Sequence, residues 1–261
     1  RLQQADDPEQ LRQLLARLTA YPDWMAAHRV NLAEGVASGR TAAPAVVERC
    51  LTQTRRLLET PAAEHPLVLA HADRGPETQA ALTAGVEQHV LPALRAWLVM
   101  LEAYQPHVRA GDGIVHLADG AELYRHYIHA WTTLEEDPSV IHEYGLERLA
   151  EVERESHAIA TELGFEDVAA LRAHLEVAPE NHAEEPVELV EMARELVARA
   201  EAEAPKWFGR LPREGCEVLA DEPHAEQDSP PAFYMMPSAD GSRKGRYFIN
   251  TYDPASRHLH R

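Results

Sequence analysis

Apolar residues recur every three or four positions through most of this chain, which predicts a body built of amphipathic helices. Behind Asp6-Asp7-Pro8, Leu11, Leu14, Leu15 and Leu18 step at helical spacing, with proline at a position that favours a helix start. That pattern predicts a helix ending near Tyr21-Pro22 and a second over residues 23–39. A third starts near Pro44 and carries Val46, Val47, Leu51, Leu57 and Leu58, and the proline-rich stretch 60–76 reads as a loop. The longest pattern covers residues 77–104, with Leu82, Val86, Val90, Leu94, Trp97, Leu98 and Leu101 on one side; Pro92 inside it should kink or divide it. A further helix holds Tyr124, Tyr127 and Trp131. Asp137-Pro138 opens the next, whose seam of Leu149, Val152, Ser156, Ile159 and Leu163 closes at Gly164. Residues 167–176 and 186–204 predict two more helices, the last stopping at Pro205.

Beyond Pro205 the pattern changes. Cys216-Glu217-Val218-Leu219, Ala232-Phe233-Tyr234-Met235-Met236 and Gly245 to Tyr252 are rich in aromatic and β-branched residues, and Asp240-Gly241-Ser242 supplies turn chemistry between the last two. The fold class that follows is mainly α: a multi-helix body, residues 1–210, with a small antiparallel sheet in residues 211–261, the whole forming one incomplete domain. A strand set on a helical body exposes an edge or finds a partner, and an exposed edge pairs with an extended peptide. The run Tyr247-Phe248-Ile249-Asn250 is the candidate for that edge, against the plainer reading of a hairpin that caps the helices.

Composition narrows the partners. Against 25 Lys and Arg stand 43 Asp and Glu, a formal charge of −18, so nucleic acid and anionic lipid would be repelled over most of the surface. Neither is an expected partner. Two cysteines far apart, Cys50 and Cys216, fit free thiols in a reducing, cytoplasmic setting better than a disulfide scaffold. No apolar run approaches the roughly 20 residues that span a bilayer. The first residue is not Met and the first turn already reads as helix, so residues upstream are expected.

Fifteen histidines raise the question of a metal. The dipeptide His142-Glu143 is followed by Leu146 where His-Glu-x-x-His would need its second histidine, so that zinc-helix motif is absent. His126 and His129 could share a helix face, but no third ligand lies near them in sequence, and they read as ordinary partly buried histidines. His258 and His260 read as exposed tail residues. Neither a nucleophile elbow, a phosphate loop nor a dinucleotide fingerprint occurs. The residues therefore nominate no catalytic group and no metal ligand.

Several separate runs carry family character: Leu117-Ala118-Asp119-Gly120-Ala121-Glu122-Leu123-Tyr124, Trp131-Thr132-Thr133, Pro138-Ser139-Val140-Ile141-His142-Glu143-Tyr144-Gly145-Leu146, Gly164-Phe165, Asn31-Leu32-Ala33-Glu34-Gly35-Val36 and Gly245-Arg246-Tyr247-Phe248-Ile249-Asn250-Thr251. In order and over nearly the whole chain they resemble the bacterial domain of unknown function 885 family. Two positions depart from its pattern, Leu123 and Trp131, where tyrosines are usual. The resemblance implies a helical fold similar to gluzincin metallopeptidases, whose zinc helix, His-Glu-x-x-Pro-Gly-His-His, would lie beyond Arg261. Zinc is thus implied for a longer parent and no cofactor for this chain, with a peptide as the parent's substrate. It also implies that Tyr247, Phe248, Ile249 and Asn250 line the substrate cleft, with Tyr124 as a further cleft residue, and that Gly120, Gly145 and His142 are structural. The expectation is a chain that is inactive alone and prone to self-association. The rival expectation is a non-catalytic helical module that recruits a partner strand.

Overall fold

In the computed structural model, residues 7–223, 226, 227 and 229–257 are described; His258 and His260 lie outside them. The chain folds as two compact units, residues 1–145 and 146–261.

The first unit is helical. α1, Pro8–Ala37, is one helix where two were expected. Asp7 caps it, its carboxylate accepting from the Gln10 N–H at 2.8 Å. Pro22 stands inside it without ending it, because the apolar stripe continues through the proline: Leu14, Leu18 and Met25 are all buried on the same helix. α2 spans Pro44–Glu59. The predicted loop after it winds into short turns around α3, Pro66–Leu69. The long pattern divides as Pro92 required. α4, Pro76–Gly85, passes through a π-helical turn at Val86–Val90 into α5, Leu91–Tyr104. A proline has no N–H to give to the preceding turn, and a wider turn just before it absorbs that loss. One core joins Leu14 and Leu18 to Leu82, Val86, Val90 and Leu94; another joins Val47 and Leu51 to Leu101 and Tyr104.

α6, Gly120–Thr132, starts where the backbone leaves no room for a side chain, since a Cβ on Gly120 would lie 2.0 Å from the Ile114 carbonyl oxygen. α7, Pro138–Glu162, carries the chain from the first unit into the second. Asp137 caps it as expected, accepting from the Ser139 N–H at 2.9 Å and the Ser139 hydroxyl at 2.6 Å. Gly145 lies in its interior rather than at a junction, with nothing near its missing side chain.

In the second unit α8, Val168–Val177, is capped by Asp167, and α9, Pro186–Trp207, runs two residues past the predicted stop at Pro205. Three strands follow: β1, Cys216–Ala220, β2, Ala232–Met235, and β3, Gly245–Ile249. Their order is β1-β3-β2, with β1 parallel and β2 antiparallel to β3, so the sheet is mixed where an antiparallel one was expected. The 24 residues between β1 and β3 allow a crossover connection, which a parallel pair needs. α9 packs on β1 and β3, and the core of this unit joins Leu189, Val190 and Ala193 of the helix to Val218 and Ile249 of the sheet.

Candidate functional site

The last strand does not form the edge of the sheet. Tyr247, Phe248 and Ile249 belong to the central strand, β1 on one side and β2 on the other, so their backbone groups are already committed to the two ladders. This corrects the expectation drawn from the sequence. The strand with the strongest β character is the one that fills the middle, where both faces and both edges are used, and Phe248 and Ile249 are buried accordingly.

β1 and β2 are both outer strands, and each turns alternate backbone groups away from β3. Asn250 donates its N–H to the Pro231 carbonyl at 2.9 Å, which makes 231 and 250 a bonded pair. In an antiparallel ladder bonded and non-bonded pairs alternate, so with Phe233 opposite Phe248 and Met235 opposite Arg246 these pairs bond as well. Ala232 and Tyr234 therefore turn their N–H and C=O groups away from β3, and among the described residues these groups have no partner. Tyr234 is 52% exposed. Its ring lies across the neighbouring strand: a Cβ on Gly245 would fall 2.1 Å from the Tyr234 hydroxyl oxygen, so only glycine leaves space for it. On the other face Phe233 stacks on Phe248, with ring centres 4.8 Å apart.

Asn250 holds this edge in place. It is 1% exposed, and its amide donates to the Glu226 carbonyl at 2.6 Å and the Ser229 carbonyl at 3.1 Å while its oxygen accepts from the Tyr252 N–H at 2.9 Å. Thr251 adds a hydroxyl bond to the Glu226 carboxylate at 2.8 Å. Together they tie the segment that leads into β2 to the end of β3. Across the sheet, the outward Cys216 N–H of β1 is taken by the Glu201 carboxylate of α9 at 3.0 Å.

Between β2 and β3 the turn is set by Asp240, whose carboxyl is held down to about 2 by the Ser238 hydroxyl first, then by the N–H and hydroxyl of Ser242. Burial and the nearby Glu201 charge push the Cys216 thiol up, which disfavours its nucleophilic form.

Tyr247, Ile249 and Asn250 meet in one place: with Pro231, Ala232 and the α9 residues Leu189, Met192, Ala193, Leu196, Val197 and Ala200 they line an apolar groove of about 550 Å³. Phe248 faces the opposite side of the sheet. Tyr124 stands on α6 in the first unit, 45% exposed. His126 and His129 are both exposed on that helix. Sequence reasoning missed Ala232 and Tyr234. The Gly245 spacing and the paired prolines before Ala232 were the available signals, but which strand is outermost depends on pairing order.

Zinc was implied by resemblance, and the donors decide whether this chain could hold it. Among the described residues no three His, Cys, Asp or Glu side chains converge where a metal ion could be held. These residues do not fit the group. Nor, among the same residues, is any helix long and apolar enough to cross a membrane.

A helical protein with a small mixed sheet, one edge of which is left unpaired beside an apolar groove, is the class that this geometry defines. The chain belongs to the family described as bacterial protein of unknown function (DUF885), whose profile matches residues 1–261. In three dimensions it is similar to a crystal structure described as a "putative lipoprotein" from Colwellia psychrerythraea, with a TM-score of 0.89 at 19% identity over 98% of this chain. The chain spans about half of that protein, 47% of its length. No curated protein matches.

Proposed function

We propose that this chain supplies the peptide-holding part of a metallopeptidase-like hydrolase: a helical wall and, in β2, the strand against which an extended substrate is laid. The cutting chemistry would come from residues outside this chain, and the chain alone would not hydrolyse peptides. The single observation that carries this reading is the unpartnered outward edge of β2 at Ala232 and Tyr234. Two outward residues offer an alternating set of donors and acceptors, which an extended backbone satisfies and a folded surface does not. Asn250, whose side-chain amide is spent on the backbone around it, acts here as a positioning residue. Tyr247 and Ile249 shape the floor under the edge.

A library of extended fluorescent peptides, read by anisotropy, tests the proposal. Ala232→Pro removes one outward N–H and leaves the ladder to β3 intact, so affinity should fall at least tenfold with the melting temperature nearly unchanged. Equal binding by the two proteins would sink the reading, as would peptide turnover by the chain alone that a chelator abolishes. If a longer protein containing this chain binds such peptides and never cleaves them, the non-catalytic strand-recruiting module replaces the hydrolase.

A further inference from the structure

The apolar groove beside α9 calls for an occupant of its own, separate from whatever pairs with β2. Its helical wall is a stripe: Leu189, Met192, Ala193, Leu196, Val197 and Ala200 recur at three- and four-residue steps over about 16 Å, three turns of helix. Leu189 and Ala193 are buried against the sheet, while Met192, Leu196 and Val197 are only half-buried. The sheet beneath shows the same imbalance, since α9 covers β1 and β3 and the groove lies above β3 and the start of β2.

The backbone chemistry of such a site selects the shape of its partner. The groove sits on the face of the sheet, where side chains stand and backbone N–H and C=O groups do not point. An extended peptide laid there would leave its own amides unpaired against an apolar surface. A helix satisfies its backbone internally and needs only an apolar stripe. Small residues, Ala200 and Ala232, leave room for close approach. Among the described residues Arg257 is the one charged residue of the lining, so the helix should present a carboxylate at that end.

We propose that the groove seats one amphipathic helix belonging to the part of a longer chain that residues 1–261 do not span. The Colwellia psychrerythraea structure contains 98% of this fold within a chain about twice as long, so a protein of this fold carries as much chain again from which such a helix can come. The inference does not depend on peptide binding at β2.

The test compares this chain with the protein obtained by continuing through the coding sequence that follows Arg261. Both carry Leu196→Cys in a background with Cys50→Ser and Cys216→Ser, and the rate of reaction with a maleimide dye is measured on the folded proteins. The longer protein should react at least tenfold more slowly, at a rate independent of concentration. Equal rates overturn the proposal, and so does a stop codon directly after Arg261. Slow labelling of the short chain that deepens with concentration overturns it in favour of a second copy. Leu196→Glu gives a second readout: it should lower the melting temperature of the longer protein by several degrees and barely move that of the short one. Equal shifts in the two would overturn the proposal. Loss of peptide binding on Ala232→Pro, with labelling at Leu196→Cys unaffected, separates the fate of β2 from that of the groove.

Discussion

The two outer strands of the sheet flank the same central strand yet meet different surroundings. β1 tucks beside α9: its middle residue, Val218, is buried and its first outward N–H is taken by Glu201. On β2 Ala232 reaches the groove beside α9, while Tyr234 is half exposed and its outward backbone groups are unpartnered among the described residues. An unpaired edge is a liability that soluble proteins usually blunt with charge, proline or cover. Here prolines 230 and 231 and the Asn250 clamp bring β2 to its place and fix its register, but they leave Ala232 and Tyr234 open. On β1 the outward groups of Val218 and Ala220 likewise have no partner among the described residues, so the contrast lies at Cys216, which Glu201 takes, and in the burial of Val218 against the exposure of Tyr234.

The sharpest way to break this contrast is to release the clamp. Asn250→Ala leaves half-buried carbonyls at Glu226 and Ser229 without their donor, and should cost about 3 kcal/mol. A thermal melt should fall by roughly 10 °C, and hydrogen exchange should rise far more in β2 than in β1. Uniform exchange across the three strands would mean that Asn250 supports the whole sheet rather than the β2 edge.

Gly245→Ala comes next. The new methyl group meets the Tyr234 ring, which must swing out, at a cost of about 2 kcal/mol. Tyr234→Ala should remove most of that penalty in a double-mutant cycle, and additive effects would show that the ring does not depend on Gly245.

Removing the partner of Cys216 on β1 should do less. Glu201→Ala frees the Cys216 N–H at the end of β1, for about 1 kcal/mol, and amide exchange at Cys216 should accelerate without new affinity for extended peptides. Gained affinity would show that the two edges differ only in cover.

The smallest effect lies in the turn between β2 and β3. The Asp240 carboxyl is held at about 2, below the 3.8 of an unperturbed one, so its contribution is present above the unfolded value and is lost as the pH falls through about 2. Asp240→Asn should flatten acid destabilisation between roughly pH 4 and 2. An unchanged acid profile would mean that the turn holds its shape without the charge.

Much of the architecture was legible in the residues. Three- and four-residue apolar spacing placed the helices, Asp7 and Asp137 marked their starts, Pro92 marked the division before α5, and β-rich runs marked the three strands. Of the residues nominated for a cleft, Tyr247, Ile249 and Asn250 line one groove, whereas Phe248 faces the other side of the sheet and Tyr124 stands on α6 in the first unit. The misread helix ends share a cause. Pro22 and Pro205 are local breakers, and packing on the rest of the helix overrode them.

Which strand would be outermost was a question local pattern could not answer. Propensity describes how a segment fits a pleated surface, and the strongest strand is as readily the centre of a sheet as its rim. Pairing order joins segments far apart in sequence, and only the folded chain brings Cys216 opposite Gly245 and Ala232 opposite Ile249. The sequence by itself determined a helical body with a small sheet; tertiary structure decided which backbone groups stayed free, because a hydrogen bond across strands depends on the partner as much as on the residue.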